Sequence, residues 1–379
     1  MVISNRVLYF RIMLKKWGII FFLLTIISEG YSSGDSLETQ PFSIIERTHY
    51  GFIVPHRDGL SNLVTNHTKI IEICLDKKTF GARQWEKDYA NPSYGISVLF
   101  LDMGNPQHLG YGYGILPYIN YPIFTKEKTQ FNIRVGFGAI YATTPFRQGE
   151  NKNIIYGSNI NALISFTGEA KFQVNDKLNI HPGIAFTHFS NGAYNLPNLG
   201  LNNASINLGL SYRINHFCTE FIPDTFSTFK PYLEINASGG VGSRKIEPGG
   251  SRFYLGAGNI ELAGRISTMS QFSIGIDEFY NTSVKPRMEN QLGTTLSNSA
   301  IFQTGVVVAY CLKMNRLQIG VAWGTYVHTE TIVDKRFYHK LTNRYYITDK
   351  VFAKLVLKTH FARADYFEFG LGFKLWKSR

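Results

Sequence analysis

Residues 367–375 read Phe367-Glu368-Phe369-Gly370-Leu371-Gly372-Phe373-Lys374-Leu375. On an extended chain Phe367, Phe369, Leu371, Phe373 and Leu375 share one face. Glu368, Gly370, Gly372, Lys374 and the following Trp376 share the other. One face is wholly apolar; its opposite carries charge and glycine. A strand of a soluble sandwich buries such a face against a second sheet. A strand of a membrane barrel turns it to lipid and gives the polar face to the lumen. The alternation recurs in Ile206, Leu208, Leu210, Tyr212 and Ile214, set against Ser205, Asn207, Gly209, Ser211 and Arg213. It recurs again in Val351, Ala353, Leu355 and Leu357, set against Lys354, Lys358 and His360.

Composition favours the membrane reading. Aromatic residues make up 15% of the chain and charged residues 17%, whereas soluble domains carry about a quarter charged residues. No run of about 18 apolar residues follows the N-terminus, so no helix of membrane length is expected. An all-β, antiparallel transmembrane β-barrel of the outer-membrane type fits both facts. Strand-like runs lie at 46–55, 68–76, 95–103, 108–120, 130–142, 158–173, 176–190, 204–214, 229–240, 252–265, 271–280, 300–312, 316–328, 336–347, 351–360 and 367–375. They predict about 16 strands, or 14 if the first two, which precede a long charged segment at 77–94, do not belong. Short polar turns at 174–177, 268–271, 314–316 and 348–350 alternate with longer loops near 143–157, 189–203, 241–251, 281–299 and 329–336. Short turns inside and long loops outside place the C-terminus on the periplasmic side. Lipid must meet no unpaired backbone group, so the sheet must close. With no domain break evident, residues 34–379 are read as a single barrel.

The N-terminus reads as an export signal. Lys15 and Lys16 precede the apolar run Trp17 to Ile27, and small and polar residues follow from Ser28 to Gly34. Residues 1–33 are therefore assigned to a cleaved signal peptide; an uncleaved anchor helix is the competing reading. Integral insertion in the outer membrane is the expected location. Cys74, Cys218 and Cys311 are too few and too scattered for a disulfide framework. The formal charge of +12 falls to about +9 without the signal, which suits anionic phosphates or head groups. An exported protein does not meet nucleic acid, and no such partner is expected. Gly110-Tyr111-Gly112-Tyr113-Gly114 is strand, not a phosphate loop. The remaining histidines show no metal-ligand spacing and are read as lumen or loop residues.

One strand changes character along its length. The even positions of 176–190 read Leu178, Ile180, Pro182, Ile184, Phe186, His188, Ser190. The first five suit lipid. The last two put an imidazole and a hydroxyl on the same face, two residues apart, at the membrane boundary. A serine needs a base to act as a nucleophile, and histidine is the usual one. Asn202, beyond the amide-rich loop 191–203, has the parity of the lipid-facing Ala204 and Ile206, so it can return toward His188.

The run His188-Phe189-Ser190-Asn191-Gly192, then Pro197-Asn198-Leu199-Gly200, then Asn202, resembles the catalytic segment of the lipid A 3-O-deacylase (PagL-like) family. The resemblance covers 158–214 best and 95–214 more loosely. Leu357-Lys358-Thr359-His360 and Ala364-Asp365-Tyr366-Phe367-Glu368 resemble longer relatives of Bacteroidetes type. It implies an outer-membrane barrel with its triad on the lipid-facing wall, a lipopolysaccharide lipid A substrate held in outer-membrane lipid, and no cofactor or metal. It implies His188 as general base, Ser190 as nucleophile, and Asn198 as an oxyanion-hole donor with a backbone N–H near Gly192 as the second. The third triad member in that family is a glutamate, and Asn202 stands in its place. The reading is thus a serine esterase that removes an ester-linked acyl chain from lipid A. The alternatives are a channel or structural barrel with a degenerate site, for which 14–16 strands would enclose water, and an adhesin built on the outer loops.

Overall fold

The computed structural model describes residues 42–214, 229–293, 295–330, 335–361 and 363–378. The expected signal peptide and Cys218 lie outside them. Sixteen strands run among the described residues, each antiparallel to its neighbours. The first eight are β1 (Phe42–Ile53), β2 (Thr68–Lys78), β3 (Ser93–Asp102), β4 (Tyr111–Lys126), β5 (Thr129–Ala142), β6 (Ile160–Gln173), β7 (Leu178–Ser190) and β8 (Leu201–Arg213). The second eight are β9 (Tyr232–Lys245), β10 (Arg252–Arg265), β11 (Ser270–Asn281), β12 (Phe302–Met314), β13 (Leu317–His328), β14 (Phe337–Tyr346), β15 (Val351–His360) and β16 (Arg363–Lys377). Two short helices, α1 (Gln84–Asp88) and α2 (Val284–Leu292), sit in connections.

The strands close as two rings of eight, not one ring of sixteen. β8 returns to β1, with Arg213 opposite Ser43 and Asn203 opposite Ile53. β16 returns to β9, with Phe373 opposite Ala237. Alternation gives the face of each side chain but not the strand that seals the ring, because the sealing bonds are backbone to backbone. The first two runs, the least secure in the sequence, are the strands that complete the first ring.

Side chains are sorted inside out. Ile184, Ile206, Val241, Ile260 and Phe369 stand exposed on the outer walls, while neighbouring inward positions such as Ser205, Asn207, Asn259, Glu261 and Glu368 are buried and polar or charged. Strands of ten to sixteen residues exceed the 9–11 or so that a tilted strand needs to cross the hydrocarbon. The molecule is a transmembrane β-barrel protein built of two barrels.

An eight-stranded ring leaves an interior about wide enough for side chains alone. In the first barrel Arg47 Nη1 donates to Glu169 Oε2 at 2.5 Å, and Asn120 donates to the same carboxylate at 2.9 Å. Glu72 takes Arg134 and lies 3.1 Å from His49 Nε2. Toward the outer end polar packing gives way to an apolar plug. Leu60, Leu63, Met103, Leu109, Ile155 and Tyr156 come down from loops onto Ile53, Leu163, Phe189 and Leu201. In the second barrel Arg344 donates to both oxygens of Glu261 at 2.5 and 2.9 Å. Lys340 pairs with Asp277 at 2.6 Å and Lys354 with Glu368 at 2.5 Å. These filled interiors replace the aqueous lumen that a single large ring would enclose. The channel reading loses its physical basis.

The barrels touch at both ends. Tyr89 Oη donates to the Lys313 carbonyl at 3.2 Å, and Tyr121 Oη donates to Met314 Sδ at 2.8 Å, at the short-turn end. At the long-loop end the Lys245 N–H donates to the Ala193 carbonyl at 3.0 Å. Equivalent ends therefore lie side by side, as expected of two barrels crossing one membrane in the same sense.

A buried charge that loses its partner destabilises by about 3–5 kcal/mol. Glu169→Ala leaves Arg47 with the longer 3.7 Å approach to the Glu72 carboxylate and a neutral bond to Asn207 Oδ1 at 3.1 Å. Its urea midpoint in detergent should fall clearly below that of the unaltered protein. An unchanged midpoint would mean that the lumen network contributes nothing.

Candidate active site on the outer wall of the first barrel

β7 carries the central pair. Its lumen-facing residues Asn179, His181, Ala185, Thr187 and Phe189 are buried, and its outer face runs from exposed Ile184 and Phe186 to half-buried His188 and buried Ser190. His188 Nε2 lies 3.2 Å from Ser190 Oγ. On the next strand β8, Asn202 is the register partner of His188, and its Oδ1 lies 2.6 Å from His188 Nδ1. Three residues chosen by strand parity thus meet in one hydrogen-bonded row. On the other side, β6 places Ala162 opposite Ser190.

The loop 191–200 folds over the pair. The Asn191 N–H donates to Asn198 Oδ1 at 2.9 Å, and Asn191 Nδ2 donates to Ser158 Oγ at 2.8 Å. With its oxygen engaged, Asn198 is left with Nδ2 as its free-standing donor group. The loop 143–159 supports this arrangement from behind. The Gly200 N–H donates to the Ile155 carbonyl at 2.9 Å. Asn153 donates to the Thr144 carbonyl at 2.6 Å and accepts from the Ile155 N–H at 2.9 Å. Beneath, Tyr156 Oη donates to the Leu109 carbonyl at 2.5 Å, and burial raises its phenol above the usual range, which keeps it a donor. Gly200 is required by the geometry: its φ is +76°, and a Cβ there would stand 2.8 Å from His188 Cε1.

Two contributions were not visible in the sequence. His56, in the loop after β1, places Nδ1 3.0 Å from Asn202 Nδ2 and Nε2 3.1 Å from the Leu199 carbonyl. No Asp or Glu hydrogen-bonds to His188 among the described residues; the amide of Asn202 holds that place, backed by a histidine. The second barrel also grips the loop. Arg252 Nη1 donates to the Tyr194 carbonyl at 2.9 Å and Nη2 to Asn195 Oδ1 at 2.9 Å, with the guanidinium 3.9 Å above the Tyr194 ring. Gly192, at φ +60°, lies so close to Phe367 of β16 that a Cβ would fall 2.4 Å from its ring. Residues 192–195 are thus held from the neighbouring barrel as well as by Asn191, whose carbonyl accepts from the Tyr194 N–H at 3.1 Å and whose Oδ1 accepts from the Asn195 N–H at 3.4 Å. Neither contact has a sequence signal, since each joins a loop to a residue far away in the chain.

Fold and site together describe a transmembrane barrel protein with a polar row set into its lipid-facing wall. Residues 71–211 match the family described as lipid A 3-O-deacylase (PagL), and residues 232–378 match the acyloxyacyl hydrolase C-terminal domain. The chain belongs to the PagL family of lipid A deacylases, in a form that carries a second barrel. No curated protein matches it. Among solved structures, neisserial surface protein A is 8% identical at a TM-score of 0.33, covering 46% of this chain and 97% of that one. A mutant porin of Rh. blastica is 9% identical at 0.19, covering 88% and 100%. Both scores are too low to bear on function.

Gly200→Ala forces a side chain into a left-handed backbone, which costs about 1–2 kcal/mol, and pushes against the imidazole. The folded variant should lose at least about tenfold in deacylation, the kinetic equivalent of 1.4 kcal/mol. Arg252→Ala should leave both barrels folded, as judged by heat-modifiable gel mobility, yet lower the same activity. Full activity in Arg252→Ala would show that the loop holds its shape without the second barrel.

Proposed function

We propose that this protein is an outer-membrane serine esterase that removes an ester-linked acyl chain from lipid A. The observation that carries the reading is the row Ser190–His188–Asn202 on the lipid-facing wall, within the segment that matches the deacylase family. His188 Nδ1–H donates to Asn202 Oδ1, which leaves the Nε2 lone pair facing the Ser190 hydroxyl. Ser190 Oγ attacks the ester carbonyl as His188 takes its proton. The negative charge that develops on the carbonyl oxygen is met by Asn198 Nδ2 and by a backbone N–H near Gly192. Collapse breaks the bond to the sugar oxygen, which leaves with the proton from His188. Water, deprotonated by His188, then releases the acyl chain from Ser190 as a fatty acid. The position on the wall favours a lipid substrate: the apolar belt of Ile184 and Phe186 begins directly below the row, where acyl chains lie.

Asn202 in place of a carboxylate holds the imidazole's orientation but lends no charge to the imidazolium. Removing that charge limits the rate without changing the chemistry.

The test is the lipid A of cells producing each variant, analysed by mass spectrometry. Ser190→Ala should abolish deacylation. Asn198→Ala should lower it by about 10²–10³, the loss that follows removal of one oxyanion donor. Acylation patterns identical between the unaltered protein and a folded Ser190→Ala would sink the esterase reading and leave a structural barrel.

A further inference from the structure

His56 lies outside the segment that resembles the family, yet it completes the row. A chain of hydrogen bonds runs from the Leu199 carbonyl through His56 and Asn202 to His188 and Ser190, and its direction is set at one end. The Leu199 carbonyl can only accept, so the proton of a neutral His56 sits on Nε2, 3.1 Å away. His56 Nδ1 is then a lone pair and can only accept. It lies 3.0 Å from Asn202 Nδ2, which donates to it. The planar amide in consequence turns Oδ1 toward His188, 2.6 Å from Nδ1. His188 must carry its proton on Nδ1, and Nε2 is left bare toward Ser190 Oγ.

We infer that His56 is a positioning residue that fixes the amide of Asn202 and thereby the tautomer of His188; the inference rests on the serine-esterase reading. A carboxylate in the third position has two equivalent oxygens and needs no such help. An amide has two different ends, and the wrong end facing His188 would present N–H to Nδ1. The imidazole proton would then move to Nε2 and the serine would lose its base. In a serine enzyme whose carboxylate is exchanged for an amide, the wrong tautomer costs about 10⁴ in rate. His56 is what makes an asparagine workable at position 202. The same ring closure that seals the barrel brings the two together: β1 ends beside the start of β8, and the Val54 N–H donates to the Asn202 carbonyl at 2.8 Å. The approach of His56 Nδ1 to the Val54 carbonyl, at 3.4 Å, sets acceptor against acceptor in this tautomer and adds no bond.

The test uses the full-length protein in mixed micelles with purified lipid A, with released fatty acid quantified over a range of lipid A mole fraction. His56→Ala should lower kcat at least about tenfold and leave KM unchanged, since the amide becomes free to turn. His56→Gln can donate to Leu199 and accept from Asn202, so it should restore kcat to within about threefold of the unaltered protein. His56→Lys donates only, turns the amide the wrong way, and should be as poor as the alanine variant. In an Asn202→Asp background the third residue has no wrong end, so adding His56→Ala should change kcat by less than about threefold. An unchanged kcat in His56→Ala, no rescue by glutamine, or an equal loss in the aspartate background would overturn the inference. Ser190→Ala run in parallel separates the failures. If it is inactive, such results remove the role of His56 alone; if it turns over normally, the serine reading falls and the relay falls with it.

Discussion

Backbone N–H and C=O groups left unpaired in hydrocarbon carry a penalty of several kcal/mol each, so a sheet that crosses a membrane must have no edge. Here that constraint is met twice, by β8 on β1 and by β16 on β9. Much of the molecule follows from this. A ring of eight strands is too narrow for a water column, so the inward side chains must fill it themselves. The charged ones must also pair, since no solvent screens them. Arg47 with Glu169, and Arg344 with Glu261, are what eight-fold closure demands of a polar lumen. With the interior occupied, chemistry has no place inside. It has to sit on the wall or in the loops.

Closure also decides who meets whom on that wall. Residues 188 and 202 are register partners on adjacent strands, but residue 56 reaches them only because the first strand seals against the eighth. Had the chain continued into one ring of sixteen, β8 would have paired with β9, and His56 would have been carried away from Asn202. The division into two rings is thus tied to the site as well as to the fold. The second ring enters the site by another route, through Arg252 and Phe367 against residues 192–195.

What could be read in advance was whatever repeats with the strand. Period two told the lipid face from the lumen face at Leu371 and Lys374, and it placed His188, Ser190 and Asn202 on one side of the sheet. The strand number was legible for the same reason. The choice between one ring and two was not, because the sealing bonds involve backbone atoms that every residue carries. His56 was hidden for a related reason: it lies in a loop, 146 positions from its partner, and no periodicity links loops. The loop asparagines were readable only through resemblance. That Asn198 has its oxygen tied to the Asn191 N–H, leaving its nitrogen to donate, required coordinates.

The row from Ser190 to Asn202 opens sideways from the wall, with a filled barrel behind it. An amphiphile reaching it need not leave its leaflet. Its encounter with the protein is then a collision in two dimensions, set by the mole fraction of that lipid among its neighbours and by how fast lipids exchange places around the barrel. Dilution of the surrounding water would leave such an encounter rate untouched, while dilution of the leaflet with other lipids would slow it.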